Sequence, residues 1–332
     1  MLELNWGLPV IGYLFLAGVG AGALTVSSSV LLRGGGGGFG GDHVKIARYG
    51  AFIAPPLLII GTFLLILELG TFQAAVEHGE FGKFFRWIYL FLTINLSPMS
   101  IGSWILALCI LASLAYAYTF LGQGNEVGEE PAGLRRALAW IGVPLGIAVA
   151  VYTGILLGAM PARPFWNSPV LALLFLMSSL STGVAAILLL KAIFGGNNSH
   201  ALASEPMDGG QFAKSAYLLA ASDTLLIGIE VLVIGLFIMF ALLTVGNVAH
   251  ALAIILPGGA LAVLFWVGVV LIGLLLPVLV ELKYVIPTLL HHRPFAMPRK
   301  TEILVCLVVL IGGFMLRYVV VVAGQVTGPT GI

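Results

Sequence analysis

The sequence predicts an all-α membrane protein with eight transmembrane helices, and three observations lead there. Of its 332 residues, 60% are hydrophobic and only 9% are charged, whereas a soluble domain carries about 25% charge. Apolar runs long enough to cross a bilayer recur along the whole chain, each needing roughly 20 residues. The short alternating segments of a membrane β-barrel are absent from the sequence. A formal net charge of +1 implies no affinity for nucleic acid, so membrane lipid is the expected surrounding.

The expected helices run over 7–32, 46–70, 98–121, 138–159, 169–194, 214–245, 259–282 and 301–323. The N-terminus, MLELNWG, lacks a basic segment and carries Glu3, which argues against a cleaved signal peptide. The first run is therefore read as a retained helix, and its small-residue stretch Leu16–Gly22 suits close helix packing. A glycine-rich run, Arg33–His43, follows it; it lacks the Gly-Lys-Ser/Thr ending of a phosphate loop and reads as a linker. Pro55–Pro56 and Gly258–Gly259 are candidate helix breaks. The third and fifth helices open on the same signal, Ser97–Pro98 and Ser168–Pro169, with serine as N-cap and proline at the first helical position. The sixth run is long, and residues 247–257 read as a short interfacial helix before the seventh.

Basic residues set the orientation. Eleven fall in the first, third, fifth and seventh connections, and three (Lys83, Arg86, Arg163) in the others. The positive-inside rule then places the odd connections in the cytoplasm and both termini outside. Trp6, Trp87, Trp104 and Trp166 fall at the outer level, as an aromatic belt would. The connection Ala159–Ser168, with Pro161, Arg163, Pro164 and Trp166, thereby faces outward as a shaped surface.

The sequence holds no redox centre of its own on this reading. The six histidines (43, 78, 200, 250, 291 and 292) lie in connections or at interfaces, so none supplies an intramembrane haem pair. The two cysteines, Cys109 and Cys306, sit apart in apolar runs, so no iron–sulfur cluster and no metal site is expected.

Ionisable residues inside apolar runs are costly and mark function. They are Glu68, Asp223, Glu230 and Arg317, with Glu281 at the inner end of the seventh helix. Asp223 and Glu230, two turns apart, share a helix face. Glu230 and Arg317 lie at equal depth and are expected to pair. That arrangement reads either as a salt bridge fastening two helices or as a proton path through Asp223 to Glu230. Tyr152, two turns below the outer end of the fourth helix, needs a hydrogen-bond partner. With Glu68, Arg163 and Trp104 at similar depth it forms a candidate binding site.

Several stretches together resemble the NrfD/PsrC family, membrane subunits of polysulfide reductase-type respiratory complexes. They are LFLAGVGAG, LELG with FFRW and LSPMSIGSW, YTGILLGAMPARPFWNSP, FWVGVVLIGLLLP and LIGGFMLRYVVVVAGQ. The resemblance implies two four-helix bundles, 1–160 with a quinone site and 161–332 with a polar intramembrane path. It implies a bound, exchangeable menaquinone or ubiquinone, with Tyr152 and Glu68 in the catalytic roles. Tyr13, Ser100, Trp104 and Arg163 would complete the quinone pocket, and Asp223, Glu230 and Arg317 the proton path. It further implies an outer four-cluster ferredoxin-like iron–sulfur subunit, a molybdopterin catalytic subunit, and a bacterial or archaeal cytoplasmic membrane. The sequence departs from the pattern after Gly70, where Thr71–Phe72 replaces Arg-Pro, and at Tyr13, near which some relatives have histidine. The competing expectation is a secondary transporter whose broken helices line an ion path through Asp223, Glu230 and Arg317.

Overall fold

A computed structural model of the chain describes residues 6–34, 43–68, 88, 97–121, 132–194, 209–244, 246–291 and 297–328. The glycine run 35–42 and the connection holding FFRW and Trp87 lie outside the described residues. Eight helices are long and apolar enough to cross a membrane: α1 (Leu8–Arg33), α2 (Val44–Glu68), α3 (Pro98–Tyr118), α4 (Ala132–Gly158), α5 (Val170–Phe194), α6 (Gly209–Leu243), α7 and α8 (Arg299–Val326). The seventh, α7, begins as a π-helix over Leu264–Leu275 and continues as an α-helix over Leu276–His291. It therefore starts and ends later than the 259–282 expected.

The centre of the molecule is a seam between α1 and α5, built on glycine. Any side chain on Gly22 would run into the backbone of Ser179, and one on Gly183 would run into the backbone of Gly22. Small residues let two helices touch backbone to backbone, where dispersion contacts replace the hydrophobic drive that lipid removes. The pair is also the most buried part of the assembly with α8, while α2, α3 and α6 turn much of their surface outward. Around the seam, α1 packs on α2 and α4, and α3 bridges α2 and α4. On the other side α5 packs on α6 and α8, and α7 bridges α6 and α8. A second glycine contact brings α7 to α8: a methyl group on Gly273 would stand 2.7 Å from Gly312 Cα.

Two expected breaks resolve differently. Helix α2 runs unbroken through Pro55 and Pro56, a correction to the sequence reading. Its small residues there lie against α1, with Ala51 and Ala54 fully buried, and a methyl on Gly20 would sit 3.1 Å from the Ala54 carbonyl. Neighbouring helices make such prolines tolerable within a bilayer. The break at Gly258 is real, with φ 98°, a left-handed conformation that glycine alone takes without cost. It follows the short helix Asn247–Leu252 and is pinned by Trp266 Nε1 donating to the Ile255 carbonyl at 2.9 Å.

The connection between α4 and α5 is bolted to α8 through its buried aromatics while Ala159, Pro161, Ala162 and Asn167 stay exposed. Phe165 and Trp166 are almost wholly buried. Trp166 Nε1 donates to the Val320 carbonyl of α8 at 2.7 Å, and its ring stacks on Trp6 at 5.2 Å. Gln325 clamps Trp6 from both sides, accepting from its N–H at 2.9 Å and donating to its carbonyl at 3.0 Å. Trp166 thus leaves the expected belt, because a buried indole with a satisfied N–H fastens three segments together. The serine caps also part company. Ser97 Oγ accepts from the Ser100 N–H at 3.3 Å as expected. The Ser168 hydroxyl is buried without a hydrogen-bond partner; its N–H bonds Trp166 O at 2.6 Å and its carbonyl accepts from Leu171 N. The Trp166 anchor fixes that backbone, leaving the cap to main-chain atoms.

Candidate functional site

Two polar centres occupy the interior, one on each side of the seam. The first is phenolic. Tyr13 of α1 is 1% exposed, Tyr152 of α4 is 9% exposed, and the two are electrostatic neighbours. Glycine makes the room: at Gly102 of α3 even a methyl group would overlap the end of the Tyr152 ring, hydroxyl included. The sequence expected a hydrogen-bond partner for Tyr152. Among the described residues neither phenol hydroxyl has one, and neither is a fully enclosed polar atom.

The remaining residues expected beside Tyr152 spread out around it. Glu68, the last residue of α2, accepts the Gly7 N–H at 2.7 Å through Oε1, a carboxylate closing the N-terminus of α1 where the helix dipole favours it. Gly7 precedes Tyr13 by six residues, about 9 Å of helix rise, so Glu68 stands at the mouth above the phenols rather than at their level. Ser100 is buried near the start of α3, two residues from Gly102 and therefore on a different helix face. Trp104 is 43% exposed. Arg163 turns toward α8, donating from Nη1 to the Gln325 carbonyl at 2.8 Å and lying 5.9 Å from the Trp166 ring. It belongs to the bolt.

The second centre is charged. Arg317 is fully buried and points from α8 into the seam. Its Nη1 donates to Ser178 Oγ at 2.7 Å and to the Gly313 carbonyl at 2.9 Å; its Nη2 donates to Ser179 Oγ at 3.1 Å. Phe15 and Phe175 cover its faces at 5.9 and 5.4 Å, and a methyl on Gly18 of α1 would stand 3.0 Å from Nη2. Glu230 is 2% exposed, with Oε1 unpartnered. The expected direct pair with Arg317 is corrected: among the described residues the guanidinium donates to Ser178 Oγ, and Glu230 meets its charge without forming an ion pair with it. Serine on the neighbouring α5 takes the guanidinium instead.

Toward the other end of α6, Asp223 is 1% exposed and accepts from Ser181 Oγ at 2.9 Å. Glu281 of α7 lies against it and accepts from Thr224 Oγ1 at 2.8 Å. The sequence placed Glu281 only at a helix end and passed over Ser178, Ser179, Ser181 and Gly102. The one available signal was the run SSLST, Ser178–Thr182, unusually hydroxyl-rich for an apolar helix. Among the described residues no group of His, Cys, Asp and Glu is arranged to hold a metal ion.

One protein family matches the chain along nearly its whole length. The profile described as "Polysulphide reductase, NrfD" covers residues 2–329. The chain belongs to the NrfD family. It is 29% identical to Protein NrfD of Escherichia coli over 98% of its own length and 96% of that protein's. It is also 29% identical to a polysulfide reductase chain of Wolinella succinogenes, over 96% of its own length and 94% of that protein's. A more distant similarity, 24% identity over 58% of its length, links it to a selenate reductase subunit of Mesobacillus selenatarsenatis, of which it covers 49%. Family and helices together make this NrfD-family chain a multi-pass membrane protein.

Proposed function

We propose that this chain is the quinone-reactive membrane subunit of a respiratory oxidoreductase, with its quinone site between α1, α3 and α4. The observation that carries the reading is the Tyr13–Tyr152 pair: two phenols on buried side chains, close together, neither hydroxyl hydrogen-bonded to a described residue. A phenol hydroxyl left available on a buried ring fits a neutral ligand with carbonyl oxygens. Menaquinone or ubiquinone is such a ligand and, when bound, supplies two-electron, two-proton chemistry. Tyr152 donates a hydrogen bond to one carbonyl oxygen, Tyr13 flanks it, and Gly102 sets where the Tyr152 ring lies. Glu68 at the mouth takes or gives the proton, as a carboxyl can. Ser100 stands buried at the head of α3 above the site, Trp104 marks the lipid side, and Arg163 braces the roof on α8.

The packing supports two four-helix bundles, 1–160 with the quinone site and 161–332 with the polar path, joined at the α1–α5 seam. The charge bias supports termini, bolt and Glu68 on the outer face of a bacterial or archaeal cytoplasmic membrane. That face would meet a four-cluster ferredoxin-like iron–sulfur subunit, itself attached to a molybdopterin catalytic subunit. Relatives whose names make them parts of polysulfide and selenate reductases support membership of such a complex. Asp223, Glu230 and Arg317 form the polar line through which protons move in the second bundle.

The test is menaquinol or ubiquinol oxidation by the assembled complex with Tyr152→Phe or Glu68→Gln in place. Glutamine keeps an acceptor for the Gly7 N–H while removing the acid. Tyr152→Phe is expected to lower kcat/KM about tenfold, the worth of one hydrogen bond at the upper end of the usual range. Undiminished turnover in both variants would sink the assignment.

A further inference from the structure

The polar line in the second half of the molecule needs an entrance, and the end opposite the termini contains one. There Lys191 Nζ of α5 meets Glu302 Oε1 of α8 at 2.8 Å, with the two side chains 9% and 14% exposed. Directly inside lies a small cavity of about 10 Å³, where Glu281, Glu302 and Cys306 stand among apolar side chains. That volume suits a single water molecule, and a water needs polar partners on its walls; the two carboxyls supply them. Beyond the cavity, Glu281 lies against Asp223. A hydrogen bond between two carboxyl groups requires that one of them carry a proton. Ser181 and Thr224 each donate to one member of the pair, at 2.9 and 2.8 Å, holding both carboxyls in place. Two turns further along α6 comes Glu230, buried, with Oε1 unpartnered.

We infer that Glu281 is the residue at which protons enter this line from the solvent at that end, and that the Lys191–Glu302 ion pair is its gate. The inference rests on the proposed reading of the second bundle as a proton path. When the pair parts, solvent reaches the cavity. A proton passes from a cavity water to the Glu281–Asp223 pair, and the water recovers one from solvent. No electron changes hands in the step. Cys306 faces the same cavity as a thiol and is a spectator.

The experiment is infrared spectroscopy of the purified full-length protein in lipid nanodiscs, following deuterium exchange into the carboxylic-acid C=O band. Lys191→Met is expected to speed that exchange about fivefold, the factor for a partly buried ion pair near the top of the surface range. Glu302→Gln is expected to do the same from the other side of the bridge, so one variant that misfolds leaves the other informative. Glu281→Gln is expected to remove intensity from the band. Exchange at the wild-type rate in the folded gate variants, or an unchanged band in Glu281→Gln, overturns the inference. Because no quinone turnover is read, failure of the quinone assignment and failure of this entrance give different results.

Discussion

The two halves of the molecule hold polar groups in opposite ways. Between α1, α3 and α4 the buried groups are neutral phenols with nothing described to satisfy them. Between α5, α6, α7 and α8 they are ionisable groups, most of them held by hydroxyls: Arg317 by Ser178 and Ser179, Asp223 by Ser181, Glu281 by Thr224. A site that must accept and release a neutral molecule gains from hydroxyls left available, since each is satisfied when the ligand arrives. A fixed path for protons gains from the reverse, because an unsupported charge in a bilayer interior is too costly to keep. The contrast teaches that the same small-residue helix α1 serves both. Its Tyr13 faces one centre, and its Gly18 leaves room for the Arg317 guanidinium of the other.

Three substitutions break or sharpen that contrast. The largest effect is expected at the seam, where Gly183→Leu drives a side chain into the Gly22 backbone. Overpacking there should cost about 3 kcal/mol or more, seen as loss of a cooperative thermal transition in detergent and of both centres together. Next comes Arg317→Met, which strips a cation from Ser178, Ser179 and the vicinity of Glu230. Breaking a buried charge arrangement from one side costs about 3 kcal/mol, and Glu230→Gln in the same protein should restore part of it in a double-mutant cycle. A neutral single variant would erase the distinction between a charged and a phenolic half. The smallest is Gly102→Ala, whose methyl overlaps the Tyr152 ring. The variant should fold with about 1 kcal/mol less stability while the quinol KM rises about fivefold, the loss of one hydrogen bond. A drop in stability without a change in KM would make Gly102 a packing residue only.

Much of this was legible in the residues themselves. Helix number follows from apolar run length, and the Ser97–Pro98 start from its cap chemistry. The choice of Tyr152, Asp223, Glu230 and Arg317 follows from the cost of polar groups in lipid. What escaped depended on which helices touch. The sequence pairs Glu230 and Arg317 by depth, yet depth along two helices says nothing of a third, and Ser178 of α5 takes the guanidinium. Arg163 and Trp166 looked like an outer surface because their contacts, Gln325 and Val320, lie more than 150 residues away. Glu68 was read as a proton group from its position, and its second duty at the Gly7 N–H needed α1 beside α2. Pro55–Pro56 looked like a break until the packing of Ala51 and Ala54 on α1 carried the helix through.

The most direct test of the phenolic centre is binding of a water-soluble naphthoquinone to the purified full-length protein, measured by isothermal titration. Losing both hydroxyls in Tyr13→Phe/Tyr152→Phe removes two hydrogen bonds of about 1 kcal/mol each, so binding should weaken about thirtyfold. Leu111→Ala, on an outward-facing position 63% exposed, should bind as the wild type does. A double variant that binds the quinone as tightly as the wild type would contradict the assignment of the site between α1, α3 and α4.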